Sequence, residues 1–336
     1  MNPEFSYIKS AAQLPEAWDQ LANSYFQQRS FLFHAEKFNP CKQRYYACFE
    51  MGQLAAGAVV YTLGLSLLTF LKVKSQVKMH IVGIPCSVSS PGIFGKPEAV
   101  AWLKKYISAN EKGMVLFLNL PEKTKDFKGA SGKTLPTIVF QNRFGSWENY
   151  LSQLRYPYRR RLNQILKNGN GLTLERTDCS VFDEEMYRQY LQVFQKSNEK
   201  LELLSWDFFR HLPGEFILTA CRQDGQLIGW NISVKWEKTF YFFLGGIDYQ
   251  SNKKFGTYFF LLIKLLKDGI ESGAEEIDLG QTAEIPKMRL GGVPVERYME
   301  ATHHWMVVGK ILKWAGPLLE YKANVESNQV FVRQLP

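Results

Sequence analysis

The sequence predicts a mixed α/β fold built from two related halves, each with a mainly antiparallel sheet and a crossover helix. Three observations support this fold class: the composition, a repeated octapeptide and a repeated order of predicted elements. Hydrophobic residues make up 46% of the 336 residues and charged residues 22%, which is typical of a globular chain with ample core material. Aromatic residues reach 14%, which favours strands packed on helices.

The octapeptide repeat is the first sign of an internal duplication. Tyr46–Leu54 reads YACFEMGQL and Thr219–Leu227 reads TACRQDGQL, so both contain A-C-x-x-x-G-Q-L. Each copy predicts a strand, a glycine-centred hairpin turn and a second strand, over Leu54–Tyr61 in one half and Leu227–Trp236 in the other.

The elements that follow each hairpin repeat in the same order: a third strand, a helix, and a strand after a glycine. They are predicted at Lys78–Ile84, Pro97–Ser108 and Met114–Asn119 in the first half, and at Thr239–Asp248, Gly256–Glu271 and Ala274–Leu279 in the second. A helix between two neighbouring strands implies a right-handed crossover and a parallel pair. Such a pair parts at its end, and we expect a ligand slot there.

The remaining elements set a domain boundary near Gly145, which gives domains 1–145 and 146–336. Pro121–Thr134 is rich in Lys, Gly and Ser and predicts an exposed loop between the halves. The other predicted elements are the strand Thr137–Phe140, a helix from Ser146, the helices Asp183–Asn198 and Ser205–His211, and the late strand Met299–Val308.

One uncharged stretch, Leu54–Leu71, is long enough to cross a bilayer as a helix. Its Val, Tyr and Thr content, interrupted by Gly57 and Gly64, instead favours two core strands joined by a tight turn. Peripheral membrane contact through an apolar face stays open. The segment Met1–Asn23 has no signal-peptide pattern, so we expect a cytoplasmic protein, with the inner face of the membrane as an alternative location.

Charge and cysteine content restrict the classes of chemistry. The net charge of +9 favours an anionic partner such as a nucleotide cofactor, tRNA or an acidic membrane. The five cysteines form no C-x-x-C pair and predict buried, reduced thiols. No H-E-x-x-H, Walker A or G-x-S-x-G motif is present, so we predict neither a metal site nor serine-hydrolase chemistry.

The first candidate site is the segment 245–257, which follows the longest aromatic strand and ends where a helix begins. Free N–H groups and the helix dipole at such a start can hold a pyrophosphate, and a glycine allows close approach. The predicted donor-binding residues are Gln250, Asn252, Lys253, Lys254, Gly256 and Thr257. The alternative is an ordinary capped helix start with two solvated lysines.

The second candidate is the basic segment 151–170, which contains five cationic residues and no acid. Arg159, Arg160 and Lys167 are predicted to bind phosphate groups of a substrate. The alternative is a solvated basic face of a surface helix.

The third candidate is Ile277–Gly291, which begins at the end of the predicted strand Ala274–Leu279. Asp278 could orient an amine, while Gln281 and Thr282 could hold the donor carbonyl or the acceptor. Lys287 and Arg289 are candidates for binding anionic parts of either substrate. The alternative makes Asp278 a turn residue and the two cations solvated.

His303 and His304 lie in the predicted late strand, where adjacent side chains face opposite sides. They therefore cannot readily share a metal, and we predict hydrogen-bonded structural residues. The alternative is that one of them faces the slot as a general base.

These segments carry a family resemblance. Gln250–Gly256 resembles a degenerate form of the Q/R-x-x-G-x-G/A pyrophosphate loop of the GNAT acyltransferase superfamily, with Lys253 in place of the first glycine. Leu154–Leu174 resembles the basic helix and glycine turn that open the second domain of FemAB-like proteins. Ile277–Gly291 resembles their D-x-G-x-x…K-x-R-x-G passage. FemAB-like proteins have two GNAT domains in tandem, which agrees with the duplication.

The resemblance implies an N-acyltransferase that transfers an acyl group from acyl-CoA to an amine acceptor, by direct attack and without a covalent enzyme intermediate. No permanently bound cofactor is expected. One alternative is a FemAB-like aminoacyltransferase that uses aminoacyl-tRNA and a peptidoglycan precursor, although the helical arm of tRNA-using members has no counterpart here. Another is a non-catalytic binding protein with the GNAT fold. The acceptor and the oligomeric state are left open.

Overall fold

A computed structural model describes residues 3–39, 41–66, 76–86, 88–125, 127–197, 202–321 and 329–332. The chain divides into two compact units. Unit 1 contains the described residues of Met1–Pro136, Leu201–Ser205 and Glu296–Ala323, and unit 2 those of Thr137–Lys200, Trp206–Val295 and Asn324–Pro336. These units are groups of residues in contact and do not test where one domain ends and the next begins, so the domain boundary near Gly145 stays a prediction.

The strands and α-helices are numbered in chain order. The strands are β1 Glu4–Ile8, β2 Arg44–Glu50, β3 Gln53–Ser66, β4 Gln76–Val82, β5 Ile93–Gly95, β6 Met114–Leu120, β7 Ala130–Gln141, β8 Leu172–Thr177, β9 Ile217–Gln223, β10 Gln226–Trp236, β11 Thr239–Ile247, β12 Glu276–Asp278 and β13 Val293–His303. The α-helices are α1 Ala17–Leu21, α2 Arg29–Phe38, α3 Pro97–Asn110, α4 Trp147–Gln153, α5 Tyr156–Asn168, α6 Glu184–Lys196, α7 Trp206–Arg210, α8 Tyr249–Phe255, α9 Thr257–Glu271, α10 Glu284–Met288 and α11 Met306–Leu319.

The sheet of unit 1 has the strand order β1-β2-β3-β4-β6-β13. Its first four strands are antiparallel neighbours, whereas β4 and β6 are parallel and are joined through α3. Ala99, Leu103 and Ile107 recur at helical spacing on α3 and are fully buried against the sheet. Because they form one apolar face, α3 covers this sheet as the predicted crossover helix.

The sheet of unit 2 repeats this arrangement with the order β7-β12-β11-β10-β9-β8. The strands β8 to β11 are antiparallel neighbours, β11 and β12 are parallel, and α9 crosses between them. Leu262, Leu266 and Ile270 on α9 are buried in the main core of the unit. The predicted mixed α/β fold with two tandem units, each with a crossover helix, is confirmed.

The two A-C-x-x-x-G-Q-L copies form equivalent hairpins. Glu50 pairs with Gln53 around the turn at Met51-Gly52, and Gln223 pairs with Gln226 around Asp224-Gly225. All four turn residues have positive φ, between 49° and 83°, as a two-residue type I′ turn requires. The predicted hairpin equivalence is confirmed.

The predicted turn inside Leu54–Leu71 is wrong over the described residues, because Gln53–Ser66 is one continuous strand. Gly57 lies within this strand and contacts the Trp18 indole: a Cβ on Gly57 would lie 2.7 Å from that ring. The glycine therefore makes room for a packed tryptophan and does not end the strand. Residues 67–71 lie outside the described residues. Within the described part of the chain, we find no helix with the length and apolar character to cross a bilayer.

Two other predicted elements need correction. The segment 121–134 is not a loop throughout, because β7 already begins at Ala130. The late strand does not reach Val308: β13 ends at His303 and α11 begins at Met306. By contrast, the helix predicted from Asp183 is confirmed, with the Asp183 carboxylate accepting a hydrogen bond from the Met186 N–H at 2.8 Å as an N-cap.

Candidate functional site

A slot opens in unit 2 where β11 and β12 separate. These parallel strands pair only from Thr239–Glu276 to Tyr241–Asp278. After Asp278 the chain follows β7 instead, since the Leu279 N–H donates to Ile138 O at 2.9 Å and the Ile138 N–H donates to Gly280 O at 3.1 Å. β11 continues to Ile247, and within the described residues its edge after Tyr241 has no strand partner on this side. The predicted separation of the parallel strands is therefore present, and we call the space beyond it the slot.

The segment that follows β12 forms one wall of the slot and is tightly constrained. The Asp278 carboxylate is largely buried and accepts a hydrogen bond from the Gly280 N–H at 2.7 Å. Thr282 and Ala283 have φ values of 59° and 46°, and two successive non-glycine residues in the left-handed region store strain. Backbone strain of this kind is concentrated at functional sites.

Lys287 of α10 lies at the closed end of the slot. Its side chain is 1% exposed, and its Nζ donates a hydrogen bond to the Gln281 carbonyl at 2.7 Å. A Cβ on Gly280 would lie 3.8 Å from this Nζ and 3.7 Å from the Phe242 carbonyl oxygen, so the missing side chain keeps this space open.

Burial strongly changes the chemistry of Lys287. Desolvation lowers the pKa of its ammonium to about 7, although the nearby charges of Asp278 and Glu284 act in the opposite direction. A lysine with this pKa can accept or donate a proton near neutrality. The alternative of a solvated Lys287 is wrong, because α10 packs its side chain into the interior.

The predicted pyrophosphate segment follows β11 on the other side of the slot, but it is not an open loop. Residues 249–255 form α8, whose N-cap is Asp248: its carboxylate accepts a hydrogen bond from the Ser251 N–H at 2.7 Å. Gly256 ends α8 with φ 66° and is also the N-cap of α9. The predicted loop before the helix is therefore corrected to a short helix, α8, joined to α9 at one left-handed glycine.

Some backbone N–H groups at this junction of α8 and α9 already donate hydrogen bonds within the junction. Asn252 accepts a hydrogen bond from the Tyr258 N–H through its Oδ1 at 2.9 Å. Gln250, Lys253 and Lys254 are exposed, and the Lys254 Nζ lies over the Phe255 ring. Thr257 is fully buried, and its Oγ1 has no hydrogen-bond partner within the described residues. The site roles of these residues stay predictions.

Gly256 is expected to be sensitive to substitution because its backbone is in the left-handed conformation, and not because a side chain would clash with its neighbours. No atom lies within 4 Å of a Cβ built there, but its φ of 66° is unfavourable for a β-branched residue. We expect Gly256→Val to lower the free energy of unfolding by roughly 1–3 kcal/mol, and Gly256→Asn by less, because Asn tolerates this conformation.

Urea denaturation of both variants measures this difference. The matched control is Gly214→Val, which also has open space but no positive φ. Equal stability of Gly256→Val, Gly256→Asn and the wild type would contradict the backbone explanation. The variant Gly256→Val is thus unsuitable as a pure test of ligand binding.

The basic segment forms α5, which packs against α9 through the buried residue Leu162. Arg160 and Lys167 are exposed and Arg159 is half-buried. They border an open depression of about 320 Å³, which is lined by Tyr156, Arg159, Arg160, Asn163, Gln164 and Lys167. The structure therefore brings the three predicted phosphate-binding residues to one depression.

Arg161 was not among the predicted site residues, although it lies in the same basic run. It points towards α9, with its guanidinium carbon 5.8 Å from the centre of the Phe259 ring. Partial desolvation and the positive charge of Arg289 lower the pKa of Arg161. Two guanidinium groups that repel each other form an environment that favours an anion. The sequence could have indicated this orientation, because Arg161 is next to Leu162 and four residues before Ile165, two apolar residues of the packed face of the helix.

The five cysteines and the two adjacent histidines, His303 and His304, occupy structural positions. All five cysteines are buried and unpaired, as predicted, and burial raises the pKa of Cys221 and of Cys179 to about 12. His303 and His304 do not face opposite sides, because the strand ends at His303 and the rings stack at 4.6 Å. Each accepts a backbone N–H, from Trp305 and from Gly113 respectively. The described residues contain no cluster of three metal-ligating side chains.

Comparisons with known proteins agree with this architecture. Residues 152–288 match the family described as the acetyltransferase (GNAT) domain. This match spans the region from the end of α4 to α10, which is most of unit 2. The resemblance to the GNAT superfamily is confirmed over this region, and the match supports a transferase.

Several solved structures are similar to the chain at low sequence identity. FemX is 11% identical with a TM-score of 0.48, over 77% of this chain and 87% of that chain. L-PGS from Bacillus licheniformis is 12% identical with a TM-score of 0.47, over 76% and 86%. A tandem GNAT protein from the clavulanic acid biosynthesis pathway is 10% identical with a TM-score of 0.47, over 89% and 98%. No curated protein matches the chain.

Proposed function

We propose that the chain is an N-acyltransferase that transfers an acyl group from acyl-CoA to an amine acceptor in the slot of unit 2. The observation that carries this proposal is the buried Lys287, held beside Asp278 at the point where β12 leaves β11. An amine that attacks a carbonyl must lose a proton, and a lysine with a pKa of about 7 can accept it.

The proposed reaction is a direct displacement. The acceptor nitrogen attacks the thioester carbonyl, the new C–N bond forms, and the C–S bond breaks. The neutral Lys287 amine takes the proton from the acceptor nitrogen and returns it to the thiolate leaving group. Catalysis then depends mainly on holding the two reactants in line.

The edge of β11 supplies the second part of this mechanism. Beyond Tyr241, alternate N–H groups of β11 face the slot, because the other edge of the strand pairs with β10. An N–H group at this edge would donate a hydrogen bond to the carbonyl oxygen of the donor. Such fixed donors stabilise the negative charge that develops on that oxygen during attack.

The donor phosphates would lie at the α8–α9 junction. Lys253 and Lys254 supply exposed positive charge there, and the first turn of α9 supplies the positive end of a helix dipole. Asn252 holds the Tyr258 N–H, so a phosphate would have to displace that side chain or use neighbouring N–H groups.

Aminoacyl-tRNA is the second candidate donor, and the basic depression on α5 favours it. An exposed helix face with Arg160 and Lys167 and without acidic residues is suited to a nucleic acid backbone. In this case the acceptor would be the amine of a peptidoglycan precursor. The same slot and the same Lys287 would serve either donor, because the group attacked is a carbonyl in both.

The experiment that tests the proposed function compares both donors with the intact chain. Acetyl-CoA and an aminoacyl-tRNA are each incubated with a panel of amines, and product mass and free thiol are measured. Transfer from acetyl-CoA supports the proposal, and transfer only from aminoacyl-tRNA supports the second candidate. No transfer from either donor contradicts both proposed activities and favours a non-catalytic protein with the GNAT fold.

The role of the basic depression on α5 in substrate binding can be tested separately. Replacement of Arg159 and Arg160 by Gln is expected to raise the Kd for the anionic substrate on the order of tenfold at low salt, and less at high salt. The control is Lys105→Gln with Lys112→Gln, which removes two exposed charges from unit 1. An unchanged Kd at low salt would mean that this helix face is only solvated.

A further inference from the structure

The last helix of unit 1, α11, exposes large apolar side chains. Val307 is 71% exposed, Ile311 59% and Trp314 80%, and the N-cap residue Trp305 is 64% exposed. Large side chains rarely occur in such a group on a soluble surface unless the surface binds something.

The exposed residues lie on one face of the helix. Val307, Ile311 and Trp314 are spaced by four and three residues, which places them in one stripe. Leu312 lies on the other side and packs against the buried cluster that contains Tyr61 and Met79. The inner face of α11 is thus attached to unit 1, while its outer apolar stripe faces solvent.

Positive charge accompanies this stripe. Lys310 and Lys313 are exposed beside it, and the sequence 306–319 contains no acidic residue. Apolar and tryptophan side chains with flanking lysines are typical of helices that lie in the interface of a membrane. At 14 residues, α11 is about 21 Å long, which is too short to cross the roughly 30 Å hydrocarbon layer.

We propose that the outer face of α11 binds an anionic lipid surface, with Val307, Ile311 and Trp314 inserted at the headgroup level. Lys310 and Lys313 then lie close to the lipid phosphates. A second copy of this chain fits the face less well, because a two-fold contact would bring these lysines close to their own counterparts. The proposal is independent of whether the slot of unit 2 catalyses transfer.

Vesicle co-sedimentation tests this proposal. The intact chain is mixed with phosphatidylcholine vesicles that contain or lack one quarter phosphatidylglycerol. We expect binding to the anionic vesicles, weaker binding to the neutral ones, and a blue shift of tryptophan emission. Lys310→Gln with Lys313→Gln should lower the partition coefficient roughly 30-fold, because each lysine near such a surface contributes about a factor of five.

The apolar contribution is tested with Ile311→Ser and Trp314→Ser, which change exposed side chains and should not affect folding. The matched control is Phe33→Ser with Ile217→Ser, two exposed apolar residues elsewhere on the surface. Loss of vesicle binding in the first variant only supports the proposal. Equal binding of all variants overturns it. A dimer in gel filtration that these α11 substitutions abolish, without any vesicle binding, also overturns it and assigns the face to a second copy.

Discussion

Replacement of Lys287 by methionine is expected to lower the rate of acyl transfer by about 10²–10⁴-fold, which is the usual contribution of a general base. Methionine fills similar space without an amine, so substrate binding should change much less than the rate. Lys287→Arg should not restore activity, because a guanidinium stays charged near neutrality and cannot accept the proton.

The pH dependence of the wild type follows from the same residue. Its pKa of about 7 means that the neutral amine becomes the main form above that pH. The transfer rate is therefore expected to rise through pH 7 and then level off. A rate that is independent of pH between 6 and 8, or full activity of Lys287→Met, would contradict the role of Lys287.

Stability provides a second measurement on the same variant. The folded-state pKa of Lys287 is depressed, so the unfolded chain binds more protons between pH 7 and the ordinary lysine value near 10.4. The free energy of unfolding of the wild type should thus rise with pH across this window, by up to about 1.4 kcal/mol per pH unit, relative to Lys287→Met. Below pH 7 the methionine variant should be the more stable protein.

The control for the rate measurements is Lys264→Met. Lys264 is a half-buried lysine of α9 whose pKa is lowered mainly by burial. Its replacement by methionine removes the same positive charge as Lys287→Met does. We expect this variant to keep most of the transfer activity. A similar loss of activity in Lys264→Met would indicate a general effect of charge and not the chemistry of Lys287.

Replacement of Lys104 by methionine is expected to have the largest effect on the stability of unit 1. The Lys104 Nζ lies 2.8 Å from Glu300 Oε2 and 2.6 Å from Thr124 Oγ1. Glu300 is fully buried, so it would lose its charged partner without gaining water. Breaking a buried ion pair from one side costs about 3–5 kcal/mol.

Chemical denaturation of Lys104→Met measures this cost. The double variant Lys104→Met with Glu300→Leu should recover most of the loss, because it removes both charges from the interior. A loss below about 1 kcal/mol in the single variant would contradict this account of the ion pair.

Local chemistry explains which parts of the fold could be predicted from the sequence. The two hairpins depend on Met51-Gly52 and Asp224-Gly225, because a type I′ turn is determined by the residues in it. The order of strands and crossover helices was also predictable, since apolar residues recur at helical spacing in both α3 and α9.

Tertiary contacts determine the elements that were predicted wrongly. Gly57 suggested a turn, but it makes room for Trp18, which is distant in the sequence. The segment before Gly256 resembled a phosphate loop, but the Asp248 cap makes it helical.

The candidate site shows the same division. Asp278, Gln281 and Lys287 were predicted from a motif. The structure places them between the end of β12 and α10, where the Lys287 Nζ donates to the Gln281 carbonyl. The burial of Lys287 and the proximity of Arg161 to Arg289 depend on how α10 and α5 pack, and no local pattern contains that information.

Hydrogen–deuterium exchange with and without the donor tests the central claim, that the donor binds in the slot of unit 2. Acetyl-CoA and aminoacyl-tRNA are added separately to the intact chain. We expect slower exchange in residues 242–258 and 278–289, with no change where β4 and β6 separate in unit 1. Protection at β4 and β6 in unit 1, without protection of residues 278–289, would contradict this claim.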